Sequence, residues 1–148
     1  MEGPTSDTVQ ATQSGQAGTT CRIIHPDDTY VGLQGLTYFS GIASETVGAQ
    51  GICVHLLRMP PGVRANAHLH EQHETASYLI SGEVEMWYGE ELREHMVMDA
   101  GEFLDIPAGM PHLPYNASDT EAVAVLARID PNKQESVVLL PHLDNVHE

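Results

Sequence analysis

Gly62-Val63-Arg64-Ala65-Asn66-Ala67-His68-Leu69-His70-Glu71-Gln72-His73-Glu74 sets two histidines one residue apart, with a carboxylate four positions beyond the second. Side chains alternate faces along a β-strand, so His68 and His70 share one face with roughly 7 Å between their Cα atoms. Two imidazoles at that separation can converge on one metal ion at about 2.0–2.1 Å each. A third, His112, closes the segment Gly101-Glu102-Phe103-Leu104-Asp105-Ile106-Pro107-Ala108-Gly109-Met110-Pro111-His112. Three imidazoles in Gly/Pro-bounded strand segments, with Glu74 beside them, read as a mixed nitrogen–oxygen metal site. Such donors suit a divalent first-row ion: Fe, Mn, Ni, Cu, Co or Zn.

Strand signals continue on either side. Residues 21–24, 36–42 and 52–59 read as strands, the first ending at Pro26-Asp27-Asp28 and the last at Pro60-Pro61-Gly62. Beyond the histidines, residues 76–80 continue a strand that Gly82 turns. Residues 84–88 and 94–98 form a hairpin across Gly89-Glu90-Glu91. Residues 103–106, a strand opening at 111–113, an apolar strand over 121–129 and a short run at 136–140 complete the set. In a single copy that last run closes a sheet edge; in a dimer it adds to the neighbour's sheet. No helical period longer than about two turns and no internal repeat is present. The pattern is all-β, a sandwich or a barrel.

The two histidine segments carry a family resemblance. The first resembles the first cupin motif: glycine, five residues, His-x-His, three or four residues, Glu, about six residues, glycine. Gly62, His68, His70, Glu74 and Gly82 occupy it, with seven residues between the last two. The second resembles the second cupin motif, Gly-x5-Pro-x-Gly-x2-His-x3-Asn, filled at every position by Gly101, Pro107, Gly109, His112 and Asn116. The resemblance spans residues 36–129 and implies a double-stranded β-helix, the jelly-roll β-barrel of the cupins. It also implies a metal held by His68, His70, Glu74 and His112. Counting back six residues from Gly82 lands on Thr75 rather than Glu74. Either Glu74 is the fourth ligand and the strand carries a bulge, or Thr75 occupies that position and the site has three histidines alone.

With 148 residues the chain is expected to form one domain, residues 21–148, preceded by an arm at 1–20. That arm is rich in Ser, Thr, Gln, Gly and Ala and offers too little apolar surface to offset its ordering entropy. Twenty-one acidic against six basic residues give a formal charge of −15, which repels nucleic acid and anionic membranes alike. Cys21 and Cys53 form no Cys-x-x-Cys motif and read as reduced thiols. Residues 1–5 lack the basic and apolar segments of a signal peptide, and no apolar run approaches 18 residues, so the expected setting is the cytoplasm.

Function then rests on the metal. The resemblance implies a metal-dependent dioxygenase acting on a small organic molecule. The alternatives are a non-redox isomerase or decarboxylase, with the ion as Lewis acid, and a small-ligand-binding protein whose metal is structural. Glu74, released from the ion, would serve as general base. Arg58 points either into the barrel towards an anionic substrate or outward into a salt bridge. His55 reads as a hydrogen-bonded wall residue, and Tyr78, Met86 and Trp87 as core. Small cupins commonly pair through sheet surfaces and terminal strands, which implies a homodimer.

Overall fold

The computed structural model describes residues 20–130, 132 and 136–148. The expected N-terminal arm, residue 20 aside, lies outside them. Eleven strands form two antiparallel sheets that face each other as a double-stranded β-helix. The strands are β1 (Thr29–Val31), β2 (Thr37–Ile42), β3 (Cys53–Met59), β4 (His68–His70), β5 (Thr75–Ser81) and β6 (Glu83–Tyr88). They continue with β7 (Glu94–Asp99), β8 (Phe103–Ile106), β9 (His112–Tyr115), β10 (Ala122–Arg128) and β11 (Val137–Leu139). One sheet runs β1-β2-β3-β10-β5-β8 and the other β11-β4-β9-β6-β7. Residues 21–24, expected as a strand, form none. Among the described residues one short α-helix, α1 (Ser44–Val47), links β2 to β3.

Alternation decides which side chains enter the barrel. Along β3, Cys53, His55, Leu57 and Met59 are buried, while Val54, Leu56 and Arg58 lie on the other face. The same two-residue period buries Ala122, Ala124, Leu126 and Arg128 on β10, and Thr75, Ser77 and Leu79 on β5. Leu36, Tyr38, Leu57, Met59, Leu79, Met98 and Leu126 form the main core between the sheets. Full burial of one such side chain stabilises the fold by roughly 1.5–3 kcal/mol.

Gly82 shows why the motif needs glycine there. Its φ is +88°, and a Cβ would sit 2.6 Å from the Glu121 carbonyl oxygen and 2.7 Å from the Ala122 Cα. Only a residue without a side chain lets β5 turn into β6 against β10.

A second, smaller cluster lies on the outer face of the five-stranded sheet. Leu143 packs there with Ala67, Leu92 and Leu113, and the His147 ring stacks on Trp87 at 3.5 Å between centroids. The C-terminal segment therefore covers that face. The run at 137–139 pairs with β4 of its own chain and closes that sheet's edge.

Candidate metal centre

His68 and His70 lie on β4 with Leu69 between them, and both are buried. His112 opens β9 and pairs directly with His68 across the antiparallel ladder. Directly opposed residues share a face, so adjacent strands deliver all three rings to one point inside the barrel. Ring centroids are 4.2 Å apart for His68–His112, 5.4 Å for His68–His70 and 5.8 Å for His70–His112. One ligand nitrogen from each lies within 4.8 Å of the others.

The hydrogen bonds orient two of these rings. His68 Nδ1 is 2.7 Å from the Asn66 carbonyl and His112 Nδ1 is 2.8 Å from the Met110 carbonyl. A carbonyl only accepts, so Nδ1 carries the proton and donates it, leaving the Nε2 lone pair bare. Burial, the neighbouring His112 and the nearby Arg128 hold the His68 imidazole well below its ordinary pKa. Burial pushes His112 down to about 4. Both rings are therefore neutral at neutral pH, the form that ligates metal.

The structure does not bring Glu74 to these histidines. Its side chain is exposed and lies beside Asp105 on β8, whose hydrogen bond and negative charge raise the Glu74 pKa. Thr75 is the buried residue, 2% exposed. Parity is the cause. β5 runs in regular register with β8 from Thr75 onward, Thr75 opposite Ile106 and Ala76 opposite Asp105. Thr75 therefore shares the inner face with Ser77 and Leu79, and Glu74 takes the opposite one; the irregularity of β5 lies further on, between Leu79 and Ser81 against β10. The group of side chains that meets inside the barrel is His68, His70 and His112, and Glu74 is not part of it.

The cavity around the rings has a volume of about 60 Å³. Leu, Met, Val and Ile side chains form most of its wall, including Met59, Met86 and Met98. Its polar lining comes mainly from His68, His70, His112, Thr75 and Arg128. Arg128 was not singled out in the sequence. It is 7% exposed and donates from Nε to Thr75 Oγ1 at 3.1 Å. The signal was present, because its parity with Ala124 and Leu126 puts it on the inner face of β10.

The remaining candidates, Met86 apart, fall outside the cavity. Arg58 points outward and pairs with Glu121 at 3.2 Å. His55 is buried and accepts a hydrogen bond from the Gly41 amide at Nδ1. Tyr78 and Trp87 lie on outer faces, whereas Met86 lines the cavity. Gln72 is exposed, and His73 turns to Ser136 and Asp130. Asn116 ties a turn, donating to the Met59 and Thr120 carbonyls and accepting from Ser118. Cys21 and Cys53 are unpaired.

Comparisons with known proteins agree with this architecture. No curated protein matches the chain in sequence. An uncharacterised conserved protein with a double-stranded β-helix domain from Klebsiella pneumoniae superposes with a TM-score of 0.55 at 21% identity. The match covers 62% of this chain and 76% of that one. Lactobacillus farciminis oxalate decarboxylase, in a formate complex, gives 0.63 at 19% identity over 76% of this chain and 33% of its own. An oxalate oxidase gives 0.61 at 21% identity over 81% of this chain and 60% of its own. The chain thus spans only a third of the decarboxylase and less than two thirds of the oxidase, and at these identities the likeness is one of fold. A family model described as a cupin domain matches residues 55–128, half of the chain, with His68, His70 and His112 inside it. The chain belongs to the cupin family.

Proposed function

We propose that this cupin is a mononuclear metal-dependent enzyme, with His68, His70 and His112 as the protein ligands, and that it oxidises a small organic substrate with dioxygen. The observation that carries the reading is the convergence of three buried imidazoles, two with Nδ1–H tied to backbone carbonyls, at an apolar cavity of about 60 Å³. The donor set fits a divalent first-row ion. His68, His70 and His112 would hold the ion, and a redox-active ion with only these protein ligands would supply a place for substrate and dioxygen to meet. The protein's own part is to fix the imidazoles in one tautomer, keep them unprotonated and exclude bulk water with an apolar wall.

The non-redox isomerase reading is weaker for a specific reason. Proton abstraction needs a base in reach of the substrate. Among the described residues no Asp or Glu lines the cavity, and Glu74 faces away. The oxalate-oxidising and oxalate-decarboxylating neighbours keep both chemistries within the fold. The two unpaired thiols accord with a reducing, cytoplasmic setting. We also read the protein as a homodimer that pairs through the apolar row on the outer face of its six-stranded sheet.

Elemental analysis of the purified protein tests the centre. Wild type and Glu74→Gln are expected to carry about one iron, nickel or copper per chain, and His68→Ala/His112→Ala none. Oxygen uptake in the presence of candidate substrates would then follow the metal. Manganese or zinc, with turnover that consumes no oxygen, would transfer the reading to Lewis-acid chemistry. Metal lost in Glu74→Gln would overturn the three-histidine ligand set.

A further inference from the structure

Arg128 closes β10 opposite Cys53 on β3 and opposite Thr75 on β5, so the strand register holds its side chain against the barrel interior. The residue is buried and lines the same cavity as the three histidines. Its Nε–H is taken by Thr75 Oγ1. On its other side Arg128 is a hydrogen-bonding neighbour of the Tyr38 hydroxyl and the Cys53 thiol. A guanidinium does not give up its proton, so the charge stays. Burial of such a charge is unfavourable unless an anion meets it.

Among the described residues no carboxylate lies within ion-pair distance of Arg128, although buried Asp130 shares the neighbourhood of Cys53 with it. Ion pairs join Arg58 to Glu121, Arg64 to Glu148, His73 to Asp130 and His95 to Glu85, and none reaches Arg128. The nearest carboxylate along the chain, Asp130, is turned to His73 and to the Asn132 amide. The position at which the cupin motif carries Glu holds neutral Thr75 here. The cavity thus contains a fixed positive charge beside neutral imidazoles and no negative one. A divalent ion on the histidines would deepen that deficit.

We propose that the missing charge arrives with the substrate: the cavity takes a small carboxylate, whose carboxyl group is gripped by Arg128 while the rest of the molecule extends towards the histidines. Thr75 holds Nε and fixes the plane of the guanidinium. Of the five N–H donors of the guanidinium, those not turned to Thr75, Tyr38 and Cys53 are left to meet a carboxylate. The volume of about 60 Å³ accommodates about four to six waters by the measure in which one needs about 10–15 Å³. That limits the ligand to a molecule of a few heavy atoms. The proposal names the substrate class of the site read above as a metal centre and rests on that reading for its catalytic meaning, although the anion grip needs no metal.

Propionate and propionamide, nearly equal in shape and different in charge, are the probes. NMR titration of metal-free and metal-loaded protein is expected to show propionate binding roughly 10- to 100-fold more tightly than the amide, the range of a charge-assisted hydrogen-bond pair. Arg128→Met should bring propionate down to the level of propionamide. Arg128→Lys, which keeps charge but loses the planar fork, should fall between, and serves if the methionine variant does not fold. Thr75→Val should weaken propionate severalfold and leave propionamide unchanged. Equal binding of acid and amide by wild type, or a preference that survives in the Arg128 variants, would overturn the proposal. An intact preference in a protein that takes up no metal would remove the metal reading and leave the anion site standing. Stoichiometric metal without the preference would do the reverse.

Discussion

His112 carries both the chemistry of the centre and a cost to the fold. Its ring is buried, and burial lowers its pKa from 6.5 to about 4. The metal-free folded state therefore binds fewer protons than the unfolded chain between those values. The stabilisation is complete above about pH 6.5 and is lost as pH falls towards 4. A shift of this size corresponds to something on the order of 3 kcal/mol from His112 alone, and His68 is moved in the same direction. Urea unfolding of metal-free protein should show a steep fall in stability across that window, and His112→Gln should flatten it. Parallel pH dependences for wild type and variant would mean that this ring does not resist protonation as its burial requires.

At the scale of strands and turns, Asn116 does what three backbone segments cannot do for themselves. It is 1% exposed, and its amide donates to the Met59 carbonyl at the end of β3 and to Thr120 before β10. Its Oδ1 accepts from the Ser118 amide and hydroxyl. Asn116→Ala would leave these buried groups bare and should destabilise the protein by on the order of 2–3 kcal/mol in chemical denaturation. Metal content should not change, because Asn116 touches no histidine.

What the sequence made legible follows the same division between local and distant. The paired histidines, the turn at Gly82 and the β6–β7 hairpin are written in short-range spacing, and the structure has them. Carboxylate oxygen is the better metal donor and speaks for Glu74, whereas the motif's six-residue spacing counted back from Gly82 lands on Thr75, the residue that the structure buries. Arg128 escaped because β10 was weighed by its apolarity instead of by its two-residue period. The cover formed by Leu143 and His147 over Trp87 had no sequence signal, since it joins residues about 50 to 60 positions apart.

For the molecule as a whole, the two outer faces are unequal. The C-terminal segment packs over the five-stranded sheet through Leu143 and His147. The six-stranded sheet carries instead a transverse row of apolar side chains: Phe39 opposite Leu56, Leu56 opposite Val125, Val125 opposite Tyr78, and Tyr78 opposite Phe103. Directly opposed residues share a face, so the row crosses five strands, about 19 Å at the usual strand spacing. Its end is open: Phe103 is 82% exposed, with Tyr78 at 37% and neighbouring Ile80 at 49%. Arg58 lies over the Phe39 ring at the other end, but a continuous apolar row that opens at Phe103 marks an interaction surface better than scattered exposed residues do. The formal charge of −15 disfavours close approach of two copies elsewhere; this row, with no acidic side chain in it, offers a place where they can meet. Phe103→Glu puts a charge at the exposed end without disturbing the barrel core, so its effect on folding stability should stay within about 0.5 kcal/mol. Sedimentation equilibrium should find wild type at twice the chain mass and the variant at the chain mass, with the same unfolding midpoint once each is extrapolated to low concentration. A wild type that sediments as a single chain would remove the dimer, and a variant that stays paired would move the contact away from this sheet.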